Sequence, residues 1–156
     1  MTLEDINRLI INSMFANIAF IDSGGNPEIR KVFCTWHKGL GTHLISTNTS
    51  SMHVQAFLKK PSASLYFDNS ETFEGICFTG KATVHFDKAF KTMCWKEGDE
   101  QYYPKGVEDE EYCILEFQAN QGRYYRYDGI GDVKKADLEV FDQNAEFIDY
   151  YDRLDI

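Results

Sequence analysis

Apolar residues along this chain fall mostly in two-residue alternation, and only briefly in the three-to-four spacing of helices. Gly75 to Asp87 shows the alternation most cleanly. Ile76, Phe78, Ala82, Val84 and Phe86 point one way, and Cys77, Thr79, Lys81, Thr83 and His85 the other, as on a strand with one buried face. The same reading predicts strands at Ala16–Asp22, Glu28–Lys38, His43–Thr47 and Ser62–Asp68, with Tyr112–Phe117 and Arg123–Tyr127 as the two arms of a hairpin. Asp22-Ser23-Gly24-Gly25-Asn26-Pro27 and Gly39-Leu40-Gly41 carry the residues that tight turns demand, so the first three strands read as an antiparallel meander.

Helical spacing interrupts this in three places. Thr2 and Asp5 form a capping box ahead of the stripe Ile6, Leu9, Ile10. Ser50 or Ser51 caps a short helix with Val54, Phe57 and Leu58 on its apolar side, and Lys59, Lys60 and Pro61 end it. Asp87 caps a third, burying Phe90, Met93 and Cys94. The expectation is a mainly β domain of about seven antiparallel strands with three short peripheral helices, a barrel or strongly curled sheet over residues 1–131. Residues 132–156 form an acidic extension, packed on that domain or trailing from it.

Composition narrows the function classes. A chain of 156 residues is long enough for one real core, and its 15% aromatic content suits pleated surfaces. The net charge of −9 leaves no basic stripe for nucleic acid. No apolar run reaches membrane-spanning length, and the N-terminus lacks a signal pattern, so a cytoplasmic location is expected. Cys34, Cys77, Cys94 and Cys113 are widely spaced and read as reduced, packed thiols. The acids of Glu97–Glu111 read as a solvated loop, with metal binding the minority alternative. Histidines 37, 43, 53 and 85 lack metal-ligand spacing, and neither GxSxG nor GxGxxG is present.

One segment does suggest chemistry. Thr47-Asn48-Thr49-Ser50-Ser51 places four hydroxyls and an amide where a strand hands over to a helix, and helix N-termini favour anions. Ordinary capping explains one or two of these residues. Arg30 and Lys31 lie on the strand expected beside it. Arg30 reads equally as a phosphate contact or as one half of a structural salt bridge. Trp95, Tyr102, Tyr103, Tyr124 and Tyr125 supply rings for stacking or for a core.

Taken together, Gly25-Asn26-Pro27-Glu28-Ile29-Arg30, Ser46–Val54, LKKP before SASLYF, Phe73-Glu74-Gly75-Ile76 leading to FTGKATV, WKEGDEQYYPKG, Asp109–Phe117 and Gly122-Arg123-Tyr124-Tyr125 resemble the pyridoxamine 5′-phosphate oxidase-like FMN-binding split-barrel family, in its small general stress protein branch. The likeness runs over roughly residues 3–127. It implies a homodimer with FMN in a cleft between the barrels. Arg30, Ser50 and Ser51 would hold the phosphate, and Lys31, Val32, Thr47 and Asn48 would line the flavin. A lysine commonly precedes the position matched by Val54; here it is His53, which can donate to a phosphate and would gain charge beside a dianion. The acidic tail lacks the basic substrate-binding segment of true pyridoxamine phosphate oxidases, so that activity is not expected. The implied function is flavin-dependent redox chemistry on a small molecule, with no dedicated catalytic residue identified. The alternative is a noncatalytic flavin- or ligand-binding stress protein, and a flavin or haem sensor ranks below both.

Overall fold

The computed structural model describes residues 2–153. Among the described residues there are eight strands: β1 (Phe15–Ile21), β2 (Pro27–Lys38), β3 (Thr42–Asn48), β4 (Ser62–Asn69), β5 (Glu74–His85), β6 (Tyr112–Arg126), β7 (Gly129–Val133) and β8 (Phe147–Asp149). Five α-helical segments accompany them: α1 (Leu3–Ile11), α2 (Met52–Lys59), α3 (Lys88–Cys94), α4 (Lys135–Phe141) and the single turn α5 (Tyr150–Arg153). All strand pairs are antiparallel, in the order β1-β4-β5-β6-β3-β2, and β2 pairs back onto β1. Six strands therefore close a barrel, while β7 extends β6 and β8 lies along β2. Closure leaves the six strands without a free edge. The mainly β, antiparallel split-barrel expectation holds; the strand and helix counts rise to eight and five.

The inward faces fill the barrel with Ile18, Phe20, Leu65, Phe67, Ile76, Phe78, Leu115 and Phe117, and α1 closes one side with Ile6, Leu9 and Ile10. Phe67, Phe78 and Phe117 are wholly buried; each such side chain contributes about 1.5–3 kcal/mol by leaving water. His37 and His43 are also buried, their rings stacked 6.1 Å apart, and His43 packs against Phe67 and Phe78. His43 Nε2 donates to the Leu40 carbonyl at 2.8 Å, so this ring serves the turn and not the surface. The capping box of α1 forms as expected, with Asp5 N–H on Thr2 Oγ1 and Thr2 N–H on the Asp5 carboxylate.

Four local readings change. Tyr112–Phe117 and Arg123–Tyr127 are not hairpin arms but parts of one 15-residue strand, β6. The Ala119–Gly122 stretch has no positive-φ residue to make a turn, and Gly122 packs under the rings of Phe78 and the Ile76 side chain. The real hairpin follows at Tyr127-Asp128, where Asp128 receives two bonds from Arg126. Next, β2 bulges between Cys34 and Trp36, with Cys34 facing Ile45 and Trp36 facing Leu44. One extra residue reverses the faces beyond it. Trp36 therefore leaves the side it shared with Arg30, Val32 and Cys34 and packs outside the barrel with Leu44, Cys94 and Tyr112. Leu58 and Phe86 are both exposed, because α2 lies on the barrel through Val54, Ala56 and Phe57 and β5 ends at His85.

The stretch after residue 131 shares the barrel's packing. Leu138 joins the main core, and β8 pairs with Trp36–Lys38 of β2. Asp142, at the end of α4, accepts from Leu40 N–H at 2.7 Å and Gly41 N–H at 3.0 Å. Gly39 sits at φ +60°, and a Cβ there would collide with that carboxylate, so the Gly39-Leu40-Gly41 turn is shaped around Asp142.

Candidate functional site

The β3–α2 junction divides the candidate residues among three places. Alternation continues to the end of β3, so Thr47 turns to the barrel rim and Asn48 to the outer face. At the rim, Thr47 Oγ1 lies 2.8 Å from His53 Nε2, and Ser51 Oγ lies 3.4 Å from the same nitrogen. Arg30 comes in from β2, where it pairs with Ile18. Its guanidinium stacks 5.3 Å above the Phe20 ring, bonds Glu28 and the Ile29 carbonyl, and touches Met52 Sδ at 3.4 Å. His53 packs on the same Phe20 ring. Burial, assisted by the Arg30 charge, holds the His53 imidazole below its ordinary pKa and so keeps it neutral.

The N-terminus of α2 opens onto this group. Ser51 is the N-cap by position, yet its hydroxyl donates backward to the Asn48 carbonyl and provides no cap. The first-turn N–H groups of Met52, His53 and Val54 are therefore left for an outside acceptor. One permanent cation, a titratable imidazole and an uncapped helix start converge, a combination suited to a phosphate.

The other candidates point elsewhere. Ser50 commits its N–H and its hydroxyl to the Glu111 carboxylate, at 3.1 and 2.6 Å. Thr49 bonds the Glu110 and Glu111 carbonyls, and Tyr103 OH donates to Asn48 Oδ1 at 2.5 Å. The acidic segment is thus a clamp on the turn as well as a solvated loop. Asp109 within it is buried, and N–H bonds from Glu111 and Lys105 hold its carboxyl below the usual range. Lys31 lies on the outer face over Phe15, and the Val32 side chain belongs to the core, which leaves only its backbone to face a ligand.

Beside Asn48, on the outer side of β2 and β3, lies a cavity of about 610 Å³. Phe33, Thr35, Ser46 and Asn48 form its floor, and the segment from Cys94 to Tyr103 its wall. Sequence reasoning missed Phe20, Met52 and Glu111. Phe20 needed the β1–β2 register, Met52 carries no chemical signal, and Glu111 is hidden within a run of like charges.

Comparison with known proteins settles the kinship. Residues 37–136 match the family model "Pyridoxamine 5′-phosphate oxidase like". A Clostridium acetobutylicum protein related to general stress protein 26 of B. subtilis, of the pyridoxinephosphate oxidase family, is 32% identical, with 87% of this chain and 96% of that one covered at a TM-score of 0.79. The chain belongs to the pyridoxamine 5′-phosphate oxidase-like family. Within it, the resemblance is to the general stress protein branch. Two solved structures share the fold at lower identity. One is a pyridoxamine 5′-phosphate oxidase-related, FMN binding protein from Nostoc punctiforme, 15% identical, covering 83% of this chain and 84% of that one at a TM-score of 0.59. The other is a heme binding protein from Mycobacterium smegmatis, 11% identical, with a TM-score of 0.68, covering 88% of this chain and 60% of its own length. No curated protein sequence is significantly similar. Among the described residues, no helix is long and apolar enough to cross a membrane.

Proposed function

We propose that this family member binds FMN through its phosphate at the rim of the barrel and serves as a flavin-dependent oxidoreductase for a small molecule. The observation that carries the reading is the uncapped start of α2 facing Arg30 and His53. Arg30 anchors the phosphate, the N–H groups of Met52–Val54 receive its remaining oxygens, and His53 donates once protonated, with Thr47 and Ser51 supporting its ring. The Val32 backbone and Thr47 border the place left for the flavin ring. Bound FMN supplies the redox chemistry, while this chain binds and orients it. A cradle suited to phosphate favours FMN over haem.

A homodimer fits the same reading. Phe15 and Ile29, on the outer side of β1 and β2, are 49% and 65% exposed, and Met14 just ahead of β1 is 46% exposed, an apolar face that a second copy would cover beside the cradle. Purified protein tests both parts. It should carry or take up FMN, seen as yellow flavin absorbance that survives gel filtration at the mass of a dimer, and Arg30→Ala should weaken FMN at least tenfold. Protein that stays colourless with FMN at tens of micromolar would refute the flavin reading. FMN that binds but is reduced by neither NADH nor NADPH would favour the noncatalytic alternative.

A further inference from the structure

A second face of the barrel carries chemistry of its own. Where β5, β6 and β7 run side by side, Cys77 faces Arg123 and Arg123 faces Asp132, while Thr79 faces Gln121. The intervening Ile76, Phe78 and Tyr124 are wholly buried, so these polar residues look outward. A cavity of about 650 Å³ lies over them, walled on one side by the chain from Asp132 to Lys135. A bulge in β6 shapes it. Thr79 pairs with Gln121 and Gly80 with Ala119, which leaves Asn120 as an extra residue. Strict alternation would send Asn120 and Gln121 to opposite faces, but both line the cavity. Gly80 admits the bulge, because a Cβ there would collide with the Gln118 carbonyl.

Charge and surface together select the ligand. Arg123, Lys134 and Lys135 stand against the single carboxylate of Asp132, an excess of two positive charges in a chain of net charge −9. Arg123 holds Asp132 through one nitrogen at 3.1 Å, which leaves the rest of its fork to donate. Among the described residues, neither Lys134 nor Lys135 forms an ion pair through its ammonium, whereas Arg30, Lys96 and Arg126 each hold a carboxylate. The amides of Asn120 and Gln121 add neutral donors. Beneath them, Gly122, the buried Val133 and the lysine stems make the surface mainly carbon. A cation is repelled here. A bare inorganic anion leaves the carbon surface uncovered, and a neutral ring leaves the charges unmet. An apolar body bearing a dianion satisfies both.

We propose that this cavity binds a small organic phosphate, its apolar body over Gly122 and Val133 and its dianion against Arg123, Lys134 and Lys135. The inference goes beyond the flavin reading and stands without it. Cys77, in the lining, reports occupancy. Its alkylation by iodoacetamide at pH 8 is followed by mass spectrometry at constant ionic strength, with phenyl phosphate as the probe. Phenyl phosphate at about 5 mM should slow Cys77 at least about fivefold, equally in the wild type and in Arg30→Ala, whose cradle no longer attracts phosphate. Lys134→Glu combined with Lys135→Glu, both at exposed positions, should abolish the protection. Inorganic phosphate and benzyl alcohol should each need at least about tenfold more than phenyl phosphate for the same effect. Protection by either at the same concentration overturns the proposal. So does an absence of protection by phenyl phosphate, or protection that survives the double charge reversal. Protection lost in Arg30→Ala traces the effect to the cradle and overturns it too. FMN uptake by the unmodified protein, lost in Arg30→Ala, reports on the cradle separately.

Discussion

Replacing His53 by lysine separates the two halves of the phosphate argument. In the folded protein the imidazole is pushed below its ordinary value of 6.5, first by burial and then by Arg30. Even an unperturbed imidazole is only about one-tenth protonated near pH 7.5, so charging it there costs about 1.4 kcal/mol, and the shifted His53 costs more. A phosphate that needs the charged ring draws that cost from its own binding energy. A lysine carries its charge already, so His53→Lys should tighten FMN at least about tenfold near pH 7.5. The sign with pH follows. Binding of the dianion raises the His53 pKa and takes up a proton, so wild-type affinity falls as pH rises above the free-state pKa, by up to about tenfold per unit. The lysine variant should show no such fall below pH 9. Fluorescence titration of FMN quenching at half-unit pH steps measures both slopes. Identical affinity and identical slope in the two proteins would refute the role given to His53. A wild-type affinity flat between pH 6 and 8 would do the same.

Two further outcomes concern the scaffold. Asp142→Ala removes the acceptor of two backbone N–H groups in the Gly39-Leu40-Gly41 turn; burial raises the Asp142 pKa despite those bonds, so each counts near the low end of ~1.5–3 kcal/mol. Urea unfolding should show a loss of about 3 kcal/mol, and a loss below about 1 would mean that the turn does not depend on the carboxylate. Thiol alkylation of native protein at pH 8 should label Cys77 ahead of the others. Cys34, Cys94 and Cys113 are buried, and burial pushes the Cys94 thiol up to about 12; mass spectrometry of tryptic peptides gives the order, and early labelling of Cys94 would contradict its packing.

Much of the barrel was legible because alternation and turn residues are local signals. The antiparallel β strands were read from Gly75–Asp87 and its neighbours, as about seven in a barrel or curled sheet, and the cap of α1 from Thr2 and Asp5. What local pattern could not show was long-range. The bulge at Thr35 moves Trp36 to the other side of β2, and no composition marks it. The unbroken β6 hid behind Gly122, which serves close packing and not a turn. At the site, the sequence pointed to one segment without showing which of its side chains face the same way. Thr47, Ser51, His53 and Arg30 converge, whereas Ser50 is drawn away by a carboxylate 61 residues distant in sequence. Hydroxyl content says where bonds are possible, and only the fold says which are already made.

The clasp of Glu111 on Ser50, with Glu110 on Thr49 and Tyr103 on Asn48, has a bearing on how the protein loosens. The turn ahead of α2 cannot open while the 103–111 segment stays docked, and that segment is itself pinned by Lys91 of α3, whose ammonium donates to the Asp109 carbonyl at 3.0 Å. Opening of either piece exposes both, so the amides of Thr49, Ser50 and Glu111 belong to one cooperative exchange unit. A cut in this acidic stretch would therefore loosen the proposed phosphate cradle before it loosened the barrel.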